Sequence, residues 1–389
     1  MSTTMRTYLD WNATAPLLPA VRDALVRALD LPGNPSSVHR EGRMVRAEIE
    51  AARRDVAALV GAEVAHVIFT SGATEAANLV LSPAFKMGRA ALSVGHLYVS
   101  AIEHPAIREG GRFDKADVSE IAVTSEGTLD LAALEQALAS HDAAKGLPML
   151  ALMLVNNETG IIQPVEDAAR LVHAAGGLLV VDAVQAVGRI AVDIQTLGAD
   201  FLILSSHKIG GPKGVGALIS RGEVMMPKPL IHGGGQEKGH RSGTENTSAI
   251  IGFGVAASEA LGRLDGEAMR IAGLRAVLED AMQTVAPDVI IHGKDVSRVC
   301  NTTFFTLPGL KSETGQIAFD IEGVALSAGS ACSSGKVGES HVLTAMGQDP
   351  KLGALRISLG AATQRADIDK AIAAFATIAG RRKRAVQAA

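Results

Sequence analysis

The stretch DFLILSSHKIGGPKGVGALIS (200–220) decides how the chain folds. An unbroken apolar run ends in Ser205, Ser206, His207 and Lys208. A turn rich in glycine (Gly210, Gly211, Gly214) follows, and a second apolar run begins at once. Short continuous apolar runs bounded by turns read as strands buried on both faces. A lysine between two such strands is not an ordinary surface lysine, because the glycines let the backbone pack close around it. At a reference pKa of ~10.4, under about one lysine in a thousand is neutral at pH 7. A nucleophilic lysine must be desolvated or set beside other cations, and His207 and a buried setting can do both.

Working outward, the same kind of run recurs as HVIF (66–69), HLYVSAI (96–102), SEIAV (119–123), MLALMLV (149–155) and LLVVD (178–182). With DFLILS and VGALIS these make seven strands. Helix-like segments lie between most of them, for example at 130–140 and 164–175. The alternation predicts an α/β fold with a mostly parallel seven-stranded sheet covered on both faces. Beyond it come two helical patterns, 247–264 and 266–285. Strand-like VIIHG, CNTTFFTL, VALSA and ALRISLG follow, with helices near 312–322 and 365–384. This predicts a second, smaller α+β domain.

In sheets of this kind ligands sit at the carboxyl ends of the strands, so the residues after each strand matter most. After HVIF comes TSGATEAANL, a glycine turn opening a helix, where Ala73 and Thr74 offer free amides and a hydroxyl to an anion. His104 follows HLYVSAI. Asn156, Asn157 and Glu158 follow MLALMLV. Asp182 ends a buried strand, where an unpaired carboxylate is costly, and Gln185 lies three residues on. Each alone has a plainer reading: a helix cap, a packing histidine, a capped turn. Together they fit pyridoxal 5'-phosphate, which needs a lysine for its aldehyde, a carboxylate for its ring nitrogen and an anion site for its phosphate. Lys208, Asp182, the Ala73–Thr74 turn with Ser205 and His207, and the ring of His104 supply these parts. A dinucleotide site would need GxGxxG after an early strand, and GPKG lacks the ending of a P-loop.

The bulk numbers narrow the class. The chain has 389 residues, 47% hydrophobic and 20% charged, with a formal net charge of −4. Such a charge makes no whole-protein field for nucleic acid or anionic membrane. The N-terminal segment lacks the apolar region of a secretory signal. The longest apolar stretch, 176–187, is broken by Asp182 and Gln185, so no membrane span is expected. Two cysteines give no disulfide framework, and no His/Cys/carboxylate cluster has metal-ligand spacing, so a reducing cytoplasm and no metal are expected. Cys300, in VCNTTFF, reads as a buried inert thiol. Cys332 is different. It sits in SAGSACSSGK (327–336) with nothing bulky beside it, on a stretch that reads as a flexible arm.

With these motifs in order, the chain resembles the cysteine desulfurases of the NifS/IscS type, pyridoxal-phosphate enzymes of the class V aminotransferase fold. The resemblance runs from YLDWNATAP and GNPSSVHREGR through FTSGATEAAN, EHPAI, VNNETGIIQP, VDAVQAVGR, SSHKIGGPKG and GGGQEKGHRSGTEN to SAGSACSSG and LRISLG. It implies the type I fold of this cofactor class. The large domain would be 16–258; the small one, 1–15 and 259–389, would carry the cysteine loop at about 327–339. It implies that Lys208 carries the cofactor, Asp182 holds its ring nitrogen, and Gln185 with Asn157 its ring hydroxyl. His104 would stack on the ring and serve in proton transfer. Ala73, Thr74, Ser205 and His207 would bind phosphate, and Thr244 the phosphate of the other subunit of a homodimer. Arg356, with Asn34 and Asn157 nearby, would hold the carboxylate of L-cysteine. Cys332 would take the sulfur as a persulfide for an acceptor protein in iron–sulfur cluster assembly or tRNA thiolation. Selenocysteine lyase or another class V enzyme is the alternative. The family often carries an aromatic residue or His where this chain has Gly210. The tail also departs from the docking tail of the scaffold-serving members. The basic run Arg381 to Arg384 there has a plainer reading as cations at a helix C-terminus.

Overall fold

The structure, a computed structural model, describes residues 6–329 and 339–388. A nine-stranded sheet forms the larger half. Seven of its strands run in the order Val118–Ile121, Ala90–Ser100, Leu147–Met153, Leu178–Asp182, Phe201–Ser205, Gly216–Ser220, Val67–Thr70. The first five pair in parallel. Gly216–Ser220 is antiparallel to both its neighbours, so Val67–Thr70 points the same way as the five. All seven apolar runs therefore become strands of one sheet.

Burial follows the two-residue period of a strand. Leu150, Leu152, Leu179, Val181, Leu202 and Leu204 enter one core, with Val45, Ile49 and Phe253 from helices. Met149, Ala151, Leu178, Val180, Phe201 and Ile203 enter the other, with Ala76, Leu79 and Val80 from the helix Ala73–Val80. Both faces are dry, which is why the strands carry no polar alternation.

Two features differ from expectation. The strand expected at 96–102 begins at Ala90, because Gly88 (φ 59°) turns a hairpin with Ala84–Met87, and Met225–Pro227 adds to its edge. Residues 86–91 are exposed, so no apolar run marked them. The helical patterns at 247–264 and 266–285 are one helix, Thr247–Val285, of 39 residues. Gly262 and Gly266 interrupt the pattern at a cost of roughly 1 kcal/mol each relative to Ala, without proline to break the backbone. Packing offsets that cost. At Gly254 an added Cβ would come within 2.5 Å of Ala52 Cα, so this helix crosses the helix Arg40–Leu59 at backbone contact.

The smaller sheet is antiparallel, in the order Ile290–Ile291, Thr302–Thr306, Leu355–Ser358, Ser327–Ala328. Leu278 and Met282 of the long helix, Phe319 of Ser312–Ile321, and Phe375 and Ile378 of Arg365–Ala388 cover it. Three residues of the basic run on that last helix are engaged within the chain: Arg381 pairs with Glu322 and Arg382 with Asp288, while Lys383 donates to the Val285 carbonyl. One strap joins the two sheets. Thr7–Tyr8 pairs with Val324–Ala325, Asp10 bridges to Ser358, and the chain then crosses to the large sheet, where the Ala15 amide donates to the His207 carbonyl at 2.9 Å. Among the described residues no helix is long and apolar enough to cross a membrane.

Candidate active site

Because five parallel strands and Val67–Thr70 share one direction, the residues after them gather along one edge of the sheet. A cavity of about 540 Å³ opens there, a size that suits a small-molecule cofactor. It is lined by Ala73, Thr74, His104, Asn157, Asp182, Gln185, Ser205, His207 and Lys208, nine residues singled out in the sequence.

Lys208 ends the 3₁₀ turn Ser206–Lys208, and its Nζ donates to the carbonyls of Asn12 and Ala13 at 2.7 and 2.9 Å. The turn is tight because Gly210 holds φ 84° and an added Cβ would strike Leu18 Cγ at 2.6 Å. Leu18 thus fills the space where a larger residue would sit. Asp182 accepts the Val184 amide at 2.9 Å. Burial pushes its carboxyl up to about 6, against that hydrogen bond and the charge of Lys208. Gln185 donates to the Asn12 carbonyl at 3.0 Å, while its Oε1 is buried without a hydrogen-bond partner.

His104 caps the short helix Pro105–Arg108, its Nδ1 accepting the Ala106 amide at 3.1 Å. Burial, then the charges of Lys208 and His341, bring it down to about 4, so the ring is neutral at pH 7. His207 lies 3.1 Å from the Thr14 hydroxyl and is likewise lowered to about 4, by burial and then by Lys208 and Lys213. Elsewhere on the cavity wall, the amides of Ala73 and Thr74 open the helix Ala73–Val80, where the first turn has no intrahelical acceptors. An added Cβ at Gly72 or Gly214 would meet nothing within 4 Å, so the backbone there borders open space.

Three expected residues stand outside this cavity. Thr244 lines a smaller neighbouring one of about 150 Å³, which shares Ser71 and Gly214 with the first. Asn34 is exposed, its Oδ1 accepting the Ser36 amide. Arg356 is 1% exposed and donates to the Asn157 carbonyl and to Asp10 Oδ1, both at 2.8 Å, with its Nε buried and unpartnered. Cys332 lies outside the described residues. The chain on either side of its segment is anchored: at Gly329 a Cβ would meet Phe304 at 2.6 Å and Glu158 at 2.8 Å, and Ser340 donates to Glu158 at 2.6 Å.

The sequence did not single out the strap. Asn12, Ala13 and Thr14 reach the lysine and His207 from the other end of the chain, and Lys213 joins the lining. The motif WNATAP was visible, but nothing local in it names a partner.

The residues fit pyridoxal phosphate on observations of this structure. Gln185 Oε1 is an unsatisfied acceptor, Asp182 is a buried carboxylate, and open backbone at Gly72 and Gly214 lines the same cavity as the lysine. This fold, with its reactive groups at the carboxyl edge of the sheet, is that of the pyridoxal-phosphate-dependent transferases. Residues 7–371 match the family described as Aminotransferase class-V, and the chain belongs to that family.

The relatives narrow the class. A protein named cysteine desulfurase IscS, from Dictyoglomus turgidum, is 38% identical over 370 residues, covering 93% of this chain and 91% of its own. A cysteine desulfurase from Cereibacter sphaeroides is 40% identical over 373 residues, covering 94% and 93%. The crystal structure of a NifS-like protein from Rickettsia africae superposes with a TM-score of 0.85 at 33% identity, over 96% of this chain and 99% of that one.

Proposed function

We propose that this chain is a cysteine desulfurase, which converts L-cysteine to L-alanine and keeps the sulfur on Cys332 as a persulfide. The observation that carries this is the meeting of Lys208, Asp182, Gln185, His104 and the Ala73–Thr74 turn in one cavity. Pyridoxal phosphate would be held there by Lys208 at its aldehyde, Asp182 at its ring nitrogen, and Gln185 with Asn157 at its ring hydroxyl. Ala73, Thr74, Ser205 and His207 would take its phosphate. Bound so, it supplies an electron sink that lets bonds at the substrate Cα break.

The other steps belong to the chain. Asp182, ionised above about 6, stands in a site where its charge is costly, so a cation on the cofactor ring is favoured there. Because His104 Nδ1 accepts a backbone N–H, the neutral ring carries its proton on Nε2. His104 is therefore a hydrogen-bond donor through Nε2 and a weak base at pH 7, and removal of the Cα proton falls to Lys208. Arg356, with its unpartnered Nε, would bind the substrate carboxylate beside Asn157 and Asn34. Cys332 attacks the substrate sulfur as a thiolate: the S–S bond forms, the Cβ–S bond breaks, and Cβ takes up a proton as alanine forms.

The enzyme works as a homodimer in the reducing cytoplasm, with Thr244 completing the phosphate site of the other subunit. Residues 16–258 form its cofactor domain; 1–15 and 259–389 form the small one. The persulfide passes to an acceptor such as an iron–sulfur scaffold or a tRNA-thiolation protein. Cys332→Ala tests the proposal. It should retain the cofactor absorbance and lose alanine and sulfide release from cysteine with dithiothreitol. Release at the wild-type rate would remove Cys332 from the mechanism. Strong preference for selenocysteine in a rate comparison would favour the lyase.

A further inference from the structure

A second cavity of about 80 Å³, which Asp182 does not line, lies between the long helix and the two sheets. Lys208 lines both. The walls of the second one are apolar: Trp11, Leu18, Ile209 and Leu359. Besides Lys208, Asn301 and the paired Arg263 and Glu267, two groups break that pattern, Arg189 and Cys300.

Arg189 is only 9% exposed. It donates to the Gln185 carbonyl at 2.6 Å and to Asn12 Oδ1 at 3.2 Å. Both acceptors are neutral, and a guanidinium has five N–H donors. No carboxylate among the described residues pairs with it. The charges at the cavity mouth are already matched, since Arg263 faces Glu259 at 3.7 Å and Glu267 faces Arg270 at 2.7 Å. Cys300 does not serve as counter-ion, because burial lifts its thiol above the usual range despite the neighbouring Arg189 and Arg275. A buried cation without an anion is costly, and that cost is relieved when an anion arrives.

We propose that this cavity is a second ligand site, which takes a small monocarboxylate with an aliphatic tail, its carboxylate on Arg189 and its tail among Trp11, Leu18, Ile209 and Leu359. Such a ligand would act on the catalytic lysine through one residue. Asn12 receives Arg189 and Asn301 on its Oδ1 and holds Lys208 on its carbonyl.

The probe is pentanoate, with pentanol as the uncharged match, and the readout is iodoacetamide labelling of Cys300 in the holoenzyme, followed by peptide mass spectrometry. Pentanoate should slow labelling of Cys300 about tenfold at roughly ten times its Kd, as mass action requires, and pentanol should not. Arg189→Gln should abolish the protection and Arg189→Lys should keep part of it. Equal protection by both compounds, or by neither, overturns the proposal; so does protection that survives in R189Q. If R189Q does not fold, the wild-type comparison of the two compounds decides alone. Pentanoate bound only at the substrate carboxylate site would leave Cys300 labelling unchanged, so failure here is distinct from failure of the desulfurase proposal.

Discussion

Asp182 and Asp200 stand at opposite ends of the same sheet, one closing the strand Leu178–Asp182 and the other preceding Phe201–Ser205. Asp200 is fully engaged. It accepts the Leu179 amide at 2.8 Å and His173 at 2.9 Å and pairs with Arg221. Asp182 has one backbone N–H and an open cavity, and burial raises it to about 6. Both are strand-end carboxylates. The difference is that the fold satisfies one and leaves the other for something that arrives later.

The comparison can be broken by exchanging the consequences. Asp182→Ala should lower turnover of cysteine on the order of 10³-fold, the scale of losing one preorganised electrostatic partner, while the fold persists by circular dichroism. Asp200→Ala should leave turnover within a few-fold; a large loss there would end the distinction. On stability the order reverses. Asp200→Ala should cost about 2–4 kcal/mol in denaturant unfolding, because His173, Arg221 and the Leu179 amide lose their acceptor.

The apoenzyme gives a smaller effect with a defined sign. The folded state holds the Asp182 proton up to about 6 while the unfolded chain releases it near 3.8, so stability falls as pH rises through that window. Asp182→Asn should flatten part of the slope and stabilise the apoenzyme above pH 6 by about 1–3 kcal/mol. Glu103, buried and raised by burial, adds a slope of the same sign that the substitution leaves in place. Identical apoenzyme profiles for wild type and D182N would show that Asp182 is not held up by burial. Smallest is His173→Gln at the other end, expected to cost about 1 kcal/mol as one hydrogen bond to Asp200 is weakened.

The sheet was legible because its strands are buried on both faces and so read as unbroken apolar runs. The cavity residues were legible for a related reason. Ala73, His104, Asn157, Asp182 and Lys208 each come just after such a run, and parallel strands bring the residues beyond their carboxyl ends together. The strap residues had no such marker. Asn12 and Thr14 meet Lys208 and His207 only in three dimensions, across nearly half the chain. Arg189 looked like any residue after a glycine, and its missing counter-ion is visible only once its neighbours are known.

The strap also orders events in time. The Asn12–Lys208 contact spans 196 residues, and Asp10–Arg356 spans 346. Residues 10–13 leave the ribosome well before either partner exists. Until the strand Leu355–Ser358 has emerged, the lysine can be made and even buried, but the strap that holds it lacks its Asp10–Arg356 pair. A chain that stops short of that strand therefore lacks one of the contacts that set the strap beside the lysine.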